Sequence, residues 1–237
     1  MPGFLAERAV DARELMDDPA CDPETLRRTY ERFALVNAAV SGQKAVYRRW
    51  IRPRLRAVRG TGRVLDIGTG GGDLPRRVRR WAERDGLRVE AIGIDPEPRA
   101  VAFAAGRGAP RGVRFERASS SDLRDAGERF DVVLSNHVLH HLGDDDRDAL
   151  LADSERLLEP GGVAVHGDIE RSRAAYLAFA AATWPLQSTL LRDTFIRPDG
   201  LTSIRRSATA AELRAALPPG WHVRRAFPSR LEAVWEA

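Results

Sequence analysis

The sequence predicts an α/β fold built on a mostly parallel sheet, and three observations support this class. The chain has 237 residues, which suits one large domain with a substantial core. Its composition, 43% hydrophobic and 30% charged, is that of a globular protein. From residue 63 onward, short β-rich runs alternate with helical segments. Such alternation requires crossover connections, which place helices on both faces of a parallel sheet.

Residues 1–60 are predicted to form a helical cap. Pro23 suits the first turn of a first helix, and apolar residues recur at helical spacing after it. Ser41 and Gly42 interrupt the pattern, and a second helix follows over about 43–58.

Residues 61–237 are predicted to form the main domain, with seven strands. The strands are assigned to 63–68, 89–95, 113–118, 130–136, 161–168, 221–227 and 230–236, and the helices between them to 73–84, 96–106 and 145–158. The last two strands are predicted to pair as an antiparallel hairpin, a common edge for a parallel sheet. A helical insertion over about 171–206, interpreted as a lid, follows the fifth strand. Its uncharged stretch, 174–191, is rich in alanine and holds several polar residues, so packed helix is favoured over a membrane span.

Charge and cysteine content exclude several classes of protein. There are 38 basic and 34 acidic residues, and all the basic residues except Lys44 are arginines spread along the chain. A dispersed pattern indicates a solvated surface and argues against a nucleic-acid interface. The single cysteine, Cys21, excludes an internal disulfide framework. Charged residues among the first eight positions exclude a secretory signal in this stretch, so a cytoplasmic location is expected.

The strongest local motif is VLDIGTGGGDL, where the first strand of the main domain runs into a glycine loop and then a helix. Glycines allow a tight turn and a close approach of the backbone to a ligand. A dinucleotide fingerprint would need glycine at position 73, where Asp73 stands, and Asp66 adds a second carboxylate. These charges favour a cationic or zwitterionic ligand such as a methylsulfonium cofactor, and they argue against an NAD-dependent oxidoreductase. The alternative is that both aspartates only cap local structure.

Further polar residues stand at the ends of the next three strands. Asp95 lies roughly 20 residues beyond the glycine loop, where a carboxylate accepts hydrogen bonds from a ribose; a helix cap before Pro96 is the alternative. Asp122, after the third strand, is interpreted either as an acceptor for an adenine amino group or as a loop cap. Asn136 and His137, after the fourth strand, should face the same crevice.

Taken together, five segments of the chain resemble the class I S-adenosylmethionine-dependent methyltransferases. They are VLDIGTGGGDL, GIDPEPRAVAFA, ASSSDL, FDVVLSNHVLHHL and SERLLEPGGVAV, within about 63–168. The segment YERFALVNAAVSGQKAVYRRW also resembles the helical cap of the quinone-biosynthesis methyltransferases, whereas HGDIERSRAAYLAF departs from that group. The resemblance implies a Rossmann-like sheet of seven strands whose last strand is antiparallel.

The resemblance also implies a set of cofactor-binding residues for S-adenosylmethionine. Asp66, Gly68, Thr69, Gly70 and Gly72 would line its methionine part, Asp95 its ribose, Pro96 one side of the adenine, Asp122 and Leu123 the adenine edge, and Asn136 with His137 the region of the sulfonium.

Histidines supply the candidate catalytic groups. His137 and His141 would share one face of a helix, and either of them, or His140, could act as a general base. His166 is a further candidate, because it points the same way as Asp168 along its strand. The alternative is that these histidines line the cofactor or pack in the core. No carboxylate or cysteine at metal-ligand spacing accompanies them, so no metal site is predicted.

The expected reaction is methyl transfer to an oxygen, or to an activated ring carbon, of a small aromatic or quinone-like metabolite. Six aromatic residues are candidates for a substrate pocket or for core: Tyr30, Phe33, Trp50, Tyr176, Phe179 and Trp184. Four arginines could recognise an acidic substituent: Arg192, Arg197, Arg205 and Arg206. Two alternatives stay open, an RNA methyltransferase and a cofactor-binding protein without activity.

Overall fold

The computed structural model describes residues 4–237, apart from the side chains of residues 39 and 40. Its centre is a sheet of seven strands in the order β3-β2-β1-β4-β5-β7-β6. The strands are β1 (Thr61–Ile67), β2 (Arg88–Ile94), β3 (Val113–Glu116), β4 (Phe130–Asn136), β5 (Leu158–Ile169), β6 (His222–Ala226) and β7 (Arg230–Glu236). β7 pairs antiparallel with both β5 and β6, and the other pairs are parallel. The predicted α/β class, the seven strands and the antiparallel last strand are confirmed.

Helices cover both faces of this sheet. They are α1 (Pro23–Val40), α2 (Gln43–Val46), α3 (Arg52–Ala57), α4 (Asp73–Arg84), α5 (Pro98–Gly106), α6 (Ser120–Asp125), α7 (Asp144–Arg156), α8 (Arg173–Thr183), α9 (Ile196–Arg206) and α10 (Ala210–Ala216). Single 3₁₀ turns lie at Leu15–Asp17 and Leu139–His141. Within residues 4–237, no helix combines the length and the apolar character that a membrane crossing needs.

Two elements differ in detail from the sequence prediction. The second predicted helix contains a wider, π-helical turn over Tyr47–Ile51, two residues before Pro53, which has no amide hydrogen to donate. β5 begins three residues earlier than predicted. Its pairing with β4 shifts register between Phe130 and Val132, and Gly161 takes a positive φ of 82° there. A bulge of this kind accommodates the extra residues without ending the strand.

The strands alternate their side chains between two hydrophobic layers, as the period of two requires. Leu65 and Ile67 of β1 pack under α6, α7 and α10, whereas Val64 packs under α2, α3 and α4. Trp50 and Leu55 of the second predicted helix belong to this second layer. α1 instead packs through Leu26 and Tyr30 against α5, at the end of the sheet where the strands terminate.

Candidate active site

A cavity of about 450 Å³ opens at the carboxyl ends of β1, β2 and β4. The strand order reverses between β1 and β4, and in open α/β sheets ligands bind at that switch point. Predicted cofactor-binding residues that line the cavity are Asp66, Gly68, Thr69, Gly70, Asp95, Pro96, Asn136 and His137, and the candidate base His141 lines it as well. The 3₁₀ turn Leu15–Asp17, α1 and α9 complete the wall.

The glycine loop is held in place by two carboxylates. The Thr69 hydroxyl donates to Asp66 over 2.8 Å, and the amide of Gly70 donates to Asp95 over 2.9 Å. Gly68 has a φ of 70°, and a Cβ there would lie 2.5 Å from Val138. Glycine is therefore required at this position by both conformation and space.

The end of the cavity at the glycine loop is acidic and partly shielded from solvent. Burial raises the pKa of Asp66 to about 7, against the hydrogen bond from Thr69, and burial also raises the pKa of Asp95. Asp73 lies in the first turn of α4, where burial raises its pKa and Arg107 lies 3.3 Å away. A cation entering this end would relieve the repulsion among the carboxylates, whereas a pyrophosphate would increase it.

Asp95 is not the N-cap of α5. Its Oδ1 accepts from the amide of Glu97 over 3.0 Å, and Glu97 itself caps the helix. Asp95 thus joins the glycine loop to the turn before α5, and its role toward a ribose stays a prediction.

Three of the predicted cofactor-binding residues do not line the cavity. Asp122 is exposed and forms a capping box with Ser119 at the start of α6, which is the alternative interpretation of this residue. Leu123 is buried in the core. Gly72 caps α4 with a φ of 74°, and a Cβ there would lie 2.6 Å from the Phe115 ring. Gly72 therefore shapes the loop by allowing this approach.

His137 stands at the end of β4 in the left-handed region, with a φ of 62°. Its backbone amide donates to the carbonyl of Gly167, and its Nε2 lies 3.3 Å from the Ser41 hydroxyl. Burial, followed by the charge of Arg230, lowers the pKa of His137 to about 3. The ring is therefore neutral near pH 7 and offers hydrogen bonds without a charge.

His140 is a buried imidazolium between two carboxylates. Asp168 accepts from both its backbone amide and its Nδ1 over 2.8 Å, and Glu14 lies 3.3 Å from its Nε2. Burial alone would lower the pKa of His140, but Asp168 and Glu14 raise it to about 9. The pKa of Asp168 is lowered in turn, since His140 outweighs its burial.

His141 is the histidine of this cluster that is most open to the cavity, with 31% of its side chain exposed. Its Nδ1 lies 3.3 Å from Asp17 and its Nε2 lies 3.7 Å from Glu14. Ligand atoms of Glu14, His140 and His141 lie within 4.8 Å of one another, a spacing that a divalent cation also requires. His140 Nδ1 is bonded to Asp168, whereas its Nε2, 3.3 Å from Glu14, makes no hydrogen bond among the described residues.

The structure does not bring His166 to the cavity, which corrects its assignment as a catalytic candidate. Its ring is fully buried, hydrogen-bonds Ser135 and Ser154, and stacks on Trp221. Because β5 presents this side chain to α7, His166 belongs to the core, and burial lowers its pKa to about 3.

Of the six candidate aromatic residues, three line the cavity and three lie elsewhere. Tyr30, Phe33 and Phe179 line the cavity. Trp50 is buried in the core and donates to Glu232, whereas Trp184 is exposed beneath Arg197. Tyr176 packs instead against Phe4.

None of the four candidate substrate arginines lines the cavity. Arg192 is exposed, Arg197 and Arg205 stack on aromatic rings, and Arg206 donates to the carbonyls of His140 and His141. Among the described residues, neither arginine nor lysine lines the cavity. The structure therefore gives no support to recognition of an acidic substituent by these arginines, and the alternative is that they serve other contacts or the solvated surface.

Sequence reasoning missed Glu14, Asp199 and Arg230. Glu14 is buried and accepts from Ser203 over 2.7 Å, while Asp199 accepts from the amides of Leu15 and Met16. Glu14 lies more than 100 residues from the histidines that it contacts, so no local spacing could reveal it.

Comparisons with known proteins show similarity in sequence and in fold. Residues 64–162 match the family model described as a methyltransferase domain. A ubiquinone biosynthesis O-methyltransferase of Cereibacter sphaeroides is 33% identical over 153 residues, which are 62% of this chain and 59% of that protein. One from Azorhizobium caulinodans is 32% identical over 151 residues, 61% of this chain and 56% of that protein. The matched region thus spans less than two thirds of these relatives.

Solved structures support the fold. Human N-acetylserotonin methyltransferase in complex with SAM has a TM-score of 0.61 at 13% identity, covering 90% of this chain and 56% of that one. The plantazolicin methyltransferase in complex with SAH has a TM-score of 0.56 at 13% identity, covering 93% and 91%. Together with the family match, these similarities confirm the resemblance predicted from the sequence.

Proposed function

We propose that this chain, whose residues 64–162 match a methyltransferase domain, is an S-adenosylmethionine-dependent enzyme that methylates an oxygen of a small aromatic or quinone-like molecule without a negative charge. The observation that carries the proposal is the composition of one cavity. The acidic glycine loop forms what we call the inner end of this cavity, and aromatic side chains form its outer end. No arginine or lysine of residues 4–237 lines the cavity.

The inner end of the cavity fits the cofactor. When bound, S-adenosylmethionine supplies a methyl group on a positively charged sulfur. Asp66, Asp73 and Asp95 line this end, and although burial raises the pKa of each, a bound cation would favour their ionised, oppositely charged form. The backbone is open at Gly70, where an added Cβ would meet nothing within 4 Å, so an amino-acid tail can lie against the loop there.

The outer end fits a flat apolar acceptor. Tyr30, Phe33 and Phe179 supply aromatic surface, and Ile169 and Ile196 supply aliphatic surface around it. Such walls position a ring by excluding water, and correct placement of two reacting atoms can contribute about 7–11 kcal/mol to the barrier reduction.

The charges of the outer end select against acidic acceptors. Glu14, Asp17 and Asp199 line it, and Arg206, which approaches Asp17 to 3.9 Å, is not part of the lining. A carboxylate or phosphate on the acceptor would be desolvated beside these groups, and the His140 imidazolium, which also lines the cavity, is already held between Asp168 and Glu14. The acceptor is therefore neutral or carries a positive charge.

His141 is our candidate for the general base. Its Nδ1 lies 3.3 Å from Asp17, which can orient the ring as the third group does in a nucleophile–base–carboxylate arrangement. The acceptor hydroxyl would give its proton to this imidazole. His137 is held neutral and would contribute a hydrogen bond near the reacting atoms.

We expect His141→Gln to lower kcat by about 10²–10⁴-fold while leaving cofactor affinity unchanged, because the substitution removes a base and keeps a polar side chain of similar size. Steady-state kinetics with labelled S-adenosylmethionine measures the first quantity, and calorimetry with S-adenosylhomocysteine the second. His222→Gln, on the exposed surface of β6, is the matched control. Near-normal turnover of the His141 variant would refute the base.

The function itself is tested with labelled methyl transfer to three matched catechols, one neutral, one bearing a carboxylate and one bearing an amine. We expect transfer to the neutral and cationic compounds and at least tenfold lower kcat/KM for the carboxylate. Transfer to tRNA but not to the catechols would favour the RNA alternative. Binding of S-adenosylhomocysteine without any transfer would favour a cofactor-binding protein, and binding of NADH instead would refute the cofactor assignment. The cytoplasmic location stays a prediction.

A further inference from the structure

Arg230, the first residue of β7, is a buried arginine with most of its guanidinium unpaired. It is only 2% exposed, and its Nη2 donates to Oδ1 of Asn136 over 2.8 Å. Its Nε and Nη1 are buried and have no hydrogen-bond partner among the described residues. Burying an arginine in this way is costly, and burial lowers its pKa. A side chain kept at that cost needs a reason beyond packing.

The fold is shaped around this side chain. Gly42, with a φ of 57°, lies between α1 and α2, and a Cβ there would come within 3.5 Å of Cδ and Nε of Arg230. A Cβ at Gly167 would lie 2.4 Å from Nη2. A small cavity of about 10 Å³ adjoins the guanidinium, and Gln43, whose Oε1 is also unpaired, lines both it and the main cavity.

Arg230 determines which atom Asn136 offers to the main cavity. Asn136 follows β4 and lines that cavity. Because Oδ1 is occupied by the guanidinium, the amide presents its Nδ2 hydrogens to a ligand. A hydrogen bond that donates to Oδ1 also polarises the amide, and this strengthens Nδ2 as a donor.

The acidic groups near Arg230 do not cancel the effect of its charge on the Asn136 amide. Asp168 of β5 and Glu232 of β7 act on it electrostatically, but Asp168 is bonded to His140, and Glu232 accepts from Trp50 and Arg224. The charge of Arg230 also reaches His137, where it adds to the effect of burial in keeping the ring neutral.

We propose that Arg230 is a positioning residue for methyl transfer: it fixes the Asn136 amide so that Nδ2 donates a hydrogen bond to the acceptor oxygen and favours its ionised form. The inference rests on the proposed function, since it assigns the acceptor oxygen to the end of β4. A positive group behind this donor stabilises a phenolate, which is a better nucleophile than a phenol.

The test uses a nitrophenol, whose ionised form absorbs visible light, bound to the protein saturated with S-adenosylhomocysteine. We expect its ionisation midpoint on the wild-type protein to lie below that of free nitrophenol, and Arg230→Met to raise the bound midpoint by about one pH unit. Arg230→Lys, which keeps the charge, should restore part of the shift. In an Asn136→Ala background, Arg230→Met should raise the midpoint by clearly less than it does in the wild-type protein.

Arg171→Met is the matched control. Arg171 is also buried, but it pairs with Glu212 and holds the carbonyls of Leu5 and Ala6, away from Asn136. Its loss should lower stability and leave the midpoint unchanged. Coinciding midpoints for wild type and Arg230→Met, an equal shift in Arg171→Met, or a wild-type midpoint equal to that of free nitrophenol would overturn the proposal. This readout needs no turnover, so failure of the chain to methylate any phenol would be detected separately.

Discussion

Replacing Asp168 with asparagine is expected to lower the free energy of unfolding by about 3–5 kcal/mol, because it leaves a buried imidazolium without its main partner. The Asp168 carboxylate is almost fully buried, and it accepts from the His140 amide, from His140 Nδ1 and from the amide of Ile169. Asparagine keeps the shape but loses the charge. His140 would then either stay charged at a high cost or release its proton into the core.

The same substitution should change how stability depends on pH. The pKa of His140 is raised to about 9 in the folded state, so its contribution is fully present below the unfolded value of about 6.5 and is lost as the pH rises toward 9. The pKa of Asp168 is lowered, so its contribution is present above the unfolded value of about 3.9 and is lost in more acidic solution. The stability difference between wild type and Asp168→Asn should therefore shrink between pH 6.5 and pH 9.

Urea unfolding at these two pH values measures the effect. Asp153→Asn is a suitable control, because Asp153 is equally buried but pairs with Arg124, which does not titrate in this range. Its stability loss should be the same at pH 6.5 and pH 9. Equal pH dependence of the Asp168 variant and the wild-type protein would show that His140 does not carry the charge assigned to it.

The sequence was most informative where structure depends on residues that are close together along the chain. Buried strands and the glycine loop are local patterns, and the strands begin and end within about three residues of the predicted positions. The short helices α6 and α10, which the predicted elements do not include, also carry a local signal, since Ser119 with Asp122 and Thr209 with Glu212 are capping boxes.

The active-site electrostatics depend on distant residues and could not be predicted in the same way. His140 and His141 were recognised as a cluster, but Glu14 and Asp17, which decide their charges, come from the other end of the sequence. His166 illustrates the opposite case. Its strand position was predicted correctly, but only the packing of α7 shows that the side chain meets Ser154 in place of a ligand.

Removing the carboxylate of Asp95 should have the largest effect on cofactor binding. We expect Asp95→Ala to weaken binding of S-adenosylhomocysteine at least a hundredfold, because two effects combine. The Gly70 amide loses the acceptor that holds the glycine loop, and the ribose loses its proposed partner. A hydrogen bond to a charged group contributes about 1.5–3 kcal/mol, so losing both accounts for a change of this size. Calorimetry measures the affinity, and thermal unfolding of the free protein checks that it folds.

Asp95→Asn separates the two effects. An asparagine in the same rotamer keeps one acceptor oxygen, which can serve the Gly70 amide, but it places a donor where the Glu97 amide or the ribose hydroxyls need an acceptor. Affinity between those of the wild type and the alanine variant would indicate that holding the loop and contacting the ribose both contribute. Full affinity in the asparagine variant would confine Asp95 to the loop, and unchanged affinity in the alanine variant would remove it from the cofactor site.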